Sequence, residues 1–322
     1  MRWWVGKLCV LLLFIILPHA VGTYYVSLAI KMLIFAIFAM SLNLLVGYMD
    51  LPSLGHAAFF GVAAYAVAIL SKNGVESVWL NLMLGIGMAG VVAAIFGLLA
   101  LRTRGSYFFM ITLALAEVLW GVAYRWRYFT GGDDGIPGIA RPDLGFIGWS
   151  LGDATIYFYF VFFFFTIAYI LISTFMHSIF GHIVVGIREN ELRMRSLGYN
   201  TWLYQYVLFI ISGLFAGLAG SLSAYFNGFV SPADLSVRVS AEGFLMVLFG
   251  GAGSLLGPAI GAGSIVLLKN MISAFTARWL LILGMIYVFV VMFAPQGVLG
   301  IISKLRLRNG PKHQLALGRQ HL

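Results

Sequence analysis

The residues able to do chemistry in this 322-residue chain are few and scattered. Four charges stand inside apolar runs: Lys31, Glu117, Glu242 and Lys269. A charge at the centre of a membrane span costs about 2.5–3.5 kcal/mol on insertion scales, so it tends to face a protein interior or a cavity. Glu117, closing the run Thr112-Leu113-Ala114-Leu115-Ala116-Glu117, is the deepest, and its position predicts either a functional group or a hydrogen bond to a neighbouring helix. Lys31 and Lys269 can instead reach headgroups along their methylene stems, and Glu242 lies near a helix start. Four isolated charges do not make the connected proton relay expected of an ion-coupled carrier.

Catalytic signatures are missing. No G-x-x-x-x-G-K-[ST] sequence occurs, so the chain cannot cradle nucleotide phosphates in a P-loop, and any ATP that drives it binds to another subunit. There is no H-E-x-x-H, no G-x-S-x-G and no Cys/His cluster at metal spacing, and the single cysteine, Cys9, excludes an internal disulfide. No catalytic residue, metal site or cofactor is expected in this chain. His56 is the one histidine beside a break in the apolar pattern, and a lone histidine is more often a hydrogen-bonded packing residue. A membrane-embedded enzyme would need a cluster of titratable groups that the sequence does not show.

The elements that must position these residues are membrane helices. Hydrophobic residues make up 61% of the chain, its mean hydropathy is +0.98 and only 10% of residues are charged, against about 25% in soluble domains. With about 20 apolar residues needed per crossing, ten candidate spans emerge: 5–22, 25–46, 54–71, 77–101, 106–125, 154–176, 203–226, 240–253, 256–275 and 279–295. The first and eighth are short enough to be tilted, interfacial or broken. The expected fold is all-α, a polytopic bundle with one membrane domain over 1–302 and a basic tail over 303–322.

Charge placement tests that count independently, because basic residues collect in cytoplasmic loops. If Arg2 and Lys7 are cytoplasmic, four crossings return Arg102 and Arg104 to that side, six return Arg188, Arg193 and Arg195, and ten return Lys304, Arg306, Arg308, Lys312 and Arg319. The long outer loop 126–153 carries Asp133, Asp134, Asp143 and Asp153. Both termini are therefore expected in the cytoplasm, and the net charge of +9 reflects membrane orientation, not nucleic-acid binding. The N-terminal run resembles a signal peptide, but no clear A-x-A site follows Ala20 and the apolar pattern resumes at Tyr24, so a retained first helix is expected.

Gly213 and Gly217, and Gly253, Gly257 and Gly261, repeat a four-residue spacing that suits close helix packing within the chain. Two stretches, Gly47 to His56 around Pro52 and Gly250 to Pro258, interrupt the helical pattern. Such breaks either mark a translocation route or are ordinary turns at the membrane interface. On this reading Asn43, Ser53, His56, Thr112 and Glu117 are candidate pathway residues. The polar stretch 177–202 contains Arg188-Glu189-Asn190-Glu191-Leu192-Arg193-Met194-Arg195-Ser196-Leu197-Gly198, which reads as a short amphiphilic cytoplasmic helix ended by Gly198. It is either a lever against a partner protein or a solvated loop on lipid headgroups.

Five stretches carry a family resemblance. They are Ser41 to Tyr48 with Ser53 to Gly61, Arg102 to Tyr107 with Thr112 to Glu117, Thr130 to Ile136, Gly186 to Gly198, and Ala216 to Gly220 with Phe229 to Pro232 and Gly250 to Pro258. In that order they resemble the LivM/LivH permeases of branched-chain amino acid ABC importers, closer to the LivM branch. The resemblance implies a multi-pass protein of the bacterial inner membrane, paired with a LivH-like sibling permease, two ATP-binding subunits that hold ATP and Mg, and a periplasmic solute-binding protein. It also implies ATPase coupling for Arg188, Glu189, Asn190, Glu191 and Gly198. Asn190 stands where Asp is common, Arg193 where a small residue is usual and Thr201 where Pro is frequent. The turn Thr130, Gly131, Gly132 and Asp134 would meet the binding protein or serve as a rigid connector. The solute implied first is a branched-chain amino acid, with urea, short amides and aromatic acids as related cargoes. The competing class is an ion-coupled secondary transporter that works without an ATPase.

Overall fold

A computed structural model of the chain describes residues 21–141 and 150–276, with a few single positions outside them. The helices are α1 (Thr23–Met49), α2 (His56–Lys72), α3 (Val78–Ala100), α4 (Ser106–Arg125), the single turn α5 (Arg127–Thr130), α6 (Ala154–His177), α7 (Ile179–Glu189), α8 (Glu191–Ser196), α9 (Thr201–Asn227), α10 (Val237–Gly250) and α11 (Leu256–Phe275). Two residue pairs, β1 (Ile136–Pro137) and β2 (Phe229–Val230), join antiparallel, with Ile136 opposite Val230. The protein is thus an α-helical, multi-pass membrane protein. Every span expected between 25 and 275 is a helix; those expected at 5–22 and 279–295, the tail 303–322 and Asp143 lie outside the described residues.

Six described helices, α1, α3, α4, α6, α9 and α11, are long and apolar enough to cross a membrane. The 17 residues of α2 and the 14 of α10 rise only about 26 and 21 Å at 1.5 Å per residue, short of a hydrocarbon core of roughly 30 Å. Both begin inside the bundle. The Ala57 N–H at the start of α2 donates to Ser240 Oγ near the start of α10 (2.8 Å), and His56 meets Ser41 in the middle of α1. Between α1 and α2 the chain runs non-helically from Asp50 to Gly55. Asp50 stops α1 in the left-handed conformation, φ 55°, which Asp tolerates better than most residues, and Pro52 disfavours helix just beyond it. Of the two short helices the sequence reading anticipated, the eighth is confirmed and the third joins it.

The buried centre is formed by α1 and α9, with α2, α3, α6, α10 and α11 packed around them. Gly213 and Gly217 of α9 face Ala93 and Ala89 of α3, where any Cβ would overlap those methyl groups. The four-residue glycine spacing therefore serves close packing within the chain. Helices α3 and α4 keep most of their apolar surface exposed, as in Met83, Met88, Val91 and Val118, the pattern of helices bordered by lipid or another membrane subunit.

The two ends of the bundle are chemically different. At one, Arg104 in the α3–α4 turn is ion-paired with Glu191 (2.9 Å), which brings Arg102, Arg104, Arg188, Arg193 and Arg195 to the same end. At the other, β1 pairs with β2, and Arg141 donates from Nε to the Tyr225 carbonyl (2.8 Å) and from Nη2 to that of Phe226 (2.7 Å), binding the last turn of α9.

Candidate functional site

Two side chains tie the basic end to both helix breaks. Arg188, in the last turn of α7, donates from Nη1 to the carbonyl of Gly47 (2.6 Å), two residues before α1 ends. One turn back, buried Asn43 donates from Nδ2 to the Ser254 carbonyl (2.9 Å) and accepts at Oδ1 from the Gly253 N–H (3.0 Å). Asn43 thus satisfies backbone that the α10–α11 turn cannot pair within a helix. Gly47 is required there, since a Cβ would strike both the Asn43 side chain and the Gly253 nitrogen. The turn itself needs Gly251 and Gly253, at φ 105° and 84°. The two stretches that interrupt the helical pattern are one stitched junction, not separate turns.

The polar stretch 177–202 departs from the single short helix expected over 188–198. Helix α7 begins at Ile179 and ends at Glu189; Asn190 then extends (φ −159°, ψ 95°) and α8 starts afresh. The cause is local: Asn190 Oδ1 accepts from the Arg193 N–H (2.9 Å), an N-cap that holds its own backbone out of the helix. Gly198, at φ 90°, ends α8 as anticipated, with Tyr199 N–H bonded to Met194 O and Gly198 N–H to Arg195 O. Glu191 turns inward. Its Oε1 accepts from Arg104 Nη2 (2.9 Å), Arg195 Nη2 (2.6 Å) and Thr201 Oγ1 (3.0 Å), while Thr201 Oγ1 accepts from Arg195 Nε (3.0 Å). Thr201 thus does there what a proline could not. Glu189 and Arg193 stay exposed, beside Leu192 and Leu197, whose exposures of 73% and 67% are unusual for leucine.

The other pathway candidates separate into two groups. Ser53 and His56, at the start of α2, and Thr112 of α4, which reaches them, are fully buried. Thr112 Oγ1 accepts from the Leu54 N–H (3.3 Å), and Ser53 Oγ from that of Gly55 (3.3 Å). Ser41 donates to the Phe38 carbonyl (2.7 Å), so His56 Nε2, 2.8 Å away, donates to Ser41; the buried His56 Nδ1 has no partner among the described residues. Glu117 stands apart. Within its span it faces away from the chain's own interior, because α4 lies at the edge of the bundle and turns Glu117 and Val118 outward. It borders an open depression with Trp120, Gly121 and Tyr124.

At the opposite end, Thr130 is buried, and its hydroxyl lies 2.6 Å from the Ala123 carbonyl and 2.7 Å from that of Trp126 and accepts from the Gly132 N–H (3.3 Å). Gly131 and Gly132, at φ 77° and 63°, complete a compact corner, while Asp133 and Asp134 are exposed on it. Thr130 and Gly132 thus build the frame, and only the aspartates are presented.

Sequence reasoning missed a convergence of charge. Lys31, Asp234, Arg238, Glu242 and Lys269 line one cavity of about 240 Å³ among α1, α9, α10, α11 and the 3₁₀ turn Pro232–Leu235. Lys269 Nζ bonds both Glu242 oxygens, at 2.7 and 3.0 Å. Neither side chain snorkels away; the 27-residue separation hides a contact made only when α10 and α11 fold back on each other. Burial raises the Asp234 carboxyl above its usual pKa, partly offset by the hydrogen bond from the Ser231 N–H. The signal available earlier was the row of intramembrane charges itself. Among the described residues, no group of three His, Cys, Asp or Glu side chains is placed to hold a metal ion.

The family model for the branched-chain amino acid transport system permease component matches residues 24–293. The chain is 29% identical to the high-affinity branched-chain amino acid transport system permease protein LivM of Escherichia coli (strain K12), over 91% of this chain and 74% of that one. It is likewise 29% identical to the protein of the same name from Salmonella typhimurium, over the same shares. A probable branched-chain amino acid transport permease protein LivM of Methanocaldococcus jannaschii is 23% identical, over 83% of this chain and 90% of that one.

Proposed function

The chain belongs to the permease-component family of branched-chain amino acid transport systems, and from that premise we propose that it forms, with a LivH-like sibling permease, the pathway by which a branched-chain amino acid or related small solute enters a bacterial cell. Family membership makes it a membrane-embedded transport subunit of an ABC importer, not an enzyme, and disfavours an ion-coupled carrier. In this reading it sits in the inner membrane with about ten spans and both termini cytoplasmic. Its permease domain covers 1–302 and its basic tail 303–322. The five arginines gathered at one end support that orientation. Two ATP-binding subunits below carry ATP and Mg, and a periplasmic binding protein delivers the solute above.

Closure of the ATPases moves the segment 177–202. Glu189, Arg193, Leu192 and Leu197 offer the exposed docking surface, and Asn190, Glu191 and Gly198 fix its shape. Arg188 carries the displacement to Gly47, and Asn43 carries it to the α10–α11 turn, so α1, α2 and α10 shift together. Ser53, His56 and Thr112 stand where the two half-length helices begin, the arrangement by which broken helices place polar groups near a membrane midplane. Glu117, exposed on α4, borders the sibling, since a carboxylate facing lipid would be costly. On the outer corner, Asp134 faces the binding protein from the frame of Thr130, Gly131 and Gly132. Only a partner that binds one arrangement better than the other can drive such a shift.

The observation that carries this reading is the Arg188–Gly47 and Asn43–Gly253 stitching, which joins the charged segment to both breaks. Its test is reconstitution of the chain with and without its sibling, ATPases and binding protein. ATP-dependent leucine uptake by the complete assembly alone is the expected result, and gradient-driven uptake by the isolated chain would overturn the proposal.

A further inference from the structure

Toward the end of the bundle away from Arg188, a second cavity of about 470 Å³ lies among α2, α3 and α4. Ala66 of α2, Leu84 and Met88 of α3 and Val122 of α4 form its apolar walls, and Trp126 and Phe129, at the corner that follows α4, close one end. Leu84, Met88 and Val122 are also exposed, so the cavity opens sideways, where the membrane lies. An empty space of that size forfeits dispersion contacts for every group around it, so something apolar fills it.

Two features decide in favour of a lipid chain over a protein helix. Leu119, Val122 and Trp126 share the face of α4 that lines the cavity, whereas Glu117, Gly121 and Tyr124 share the opposite face. A carboxylate within a span is costly against lipid, so the Glu117 face belongs to protein and the uncharged cavity face is left to lipid. Arg125 and Arg127 flank Trp126, both exposed, and neither guanidinium has an ion-pair or hydrogen-bond partner among the described residues. Asp133 and Asp134 stand on the same corner, beyond ion-pair distance of either. Trp126, Tyr128 and Phe129 are exposed there as well, the aromatic belt that marks a headgroup level. We propose that the cavity holds one acyl chain of an anionic phospholipid of that leaflet, with its phosphate between Arg125 and Arg127. A lipid tail gains nothing by leaving lipid, so the affinity comes from the fit of the walls and from charge-assisted bonds to the phosphate. This adds to the importer reading and does not depend on the solute carried.

The test places the full chain, assembled with its partner subunits, in vesicles of equal phosphatidylglycerol and phosphatidylcholine, with a trace of one or the other carrying a photoactivatable diazirine in its acyl chain. After illumination the labelled residues are mapped by peptide mass spectrometry. Label on Ala66, Met88 and Val122 is expected to exceed severalfold that on Leu267 and Met271, exposed on α11. Phosphatidylglycerol should label the cavity at least about fivefold better than phosphatidylcholine, the weight of one basic residue beside an anionic lipid. Arg125→Gln combined with Arg127→Gln changes only the surface and should abolish that preference. Ala66→Leu narrows the cavity without touching a charge; it should lower the label on Met88 and Val122 and leave that on α11 unchanged, a control that a misfolded chain would fail. Equal label on the cavity and on α11 would mean boundary lipid only and overturn the site. Label on α11 with none in the cavity would give the space to a protein helix, of this chain or its sibling, and overturn it too. A preference for phosphatidylglycerol that survives in the double arginine variant would overturn the phosphate assignment.

Discussion

Replacing Asn43 by alanine removes the one side chain among the described residues that bonds both Gly253 and Ser254, while leaving every apolar contact of α1 nearly intact. The Gly253 N–H and the Ser254 carbonyl lose partners at 3.0 and 2.9 Å, and both residues are half-buried in the α10–α11 turn. Each unsatisfied group costs about 1–3 kcal/mol when fully buried. With partial access to water the lower half of that range applies, about 2–4 kcal/mol for the pair, or roughly 30- to 1,000-fold in the equilibrium between the stitched and open turn. Such a bias should uncouple the machine rather than prevent its assembly. In proteoliposomes of the complete transporter, leucine moved per ATP hydrolysed is expected to fall several-fold in Asn43→Ala, with the variant still purifying alongside its partners. Asn43→Asp should fall between the two, because it keeps the acceptor for Gly253 but sets a carboxylate against the Ser254 carbonyl. Transport per ATP equal to wild type in Asn43→Ala would refute the idea that this asparagine links the breaks.

Arg188→Ala breaks the bond to Gly47 without cutting into the core, so it should reduce coupling in the same assay, and Arg188→Lys should restore only part of it because a point charge replaces a planar fork. The two glutamates of the charged segment should separate. Glu191→Lys faces Arg104, Arg195 and the Thr201 hydroxyl and should lower the yield of folded chain in detergent chromatography, whereas Glu189→Lys should leave that yield unchanged and weaken co-purification of the ATPases. Asp234 gives a pH signature. Its carboxyl is raised by burial, so the folded state holds its proton more tightly than the unfolded chain, and stability falls as pH climbs from about 4 through the folded pKa, then levels. The thermal inactivation midpoint of Asp234→Asn should lack that fall and match or exceed wild type at pH 7.

Much of the fold was legible along the chain because lipid imposes a one-dimensional rule: a segment that crosses must be apolar for about 20 residues and must pair its own backbone. That rule placed α1, α3, α4, α6, α9 and α11 to within a few residues, and Arg102, Arg104 and Arg188 to Arg195 fell on one end as charge alternation required. Glycine and proline at 47–56 and 250–258 announced the breaks for the same local reason. Asn190 was visible as a polar residue, but its cap on α8 was not, because helix and cap compete by a margin that apolar spacing does not register.

What only the tertiary structure decided was which polar groups meet. Asn43 and Ser254 are 211 positions apart, Arg188 and Gly47 are 141, and nothing in either local pattern selects the partner. Lys31, Glu242 and Lys269 read singly as costly charges or snorkelling chains; folding α10 back on α11 beside α1 sets them, with Asp234 and Arg238, around one cavity. Glu117 reads as deep by its place in the apolar run, yet its face of α4 turns outward, because depth along a helix is set by sequence and direction around it by the neighbours it packs against. Composition determines that a chain enters the membrane and where it turns, since transfer of each segment to lipid is nearly independent of the others. The working contacts depend on helix rotation and pairing, which are settled by packing among all segments at once.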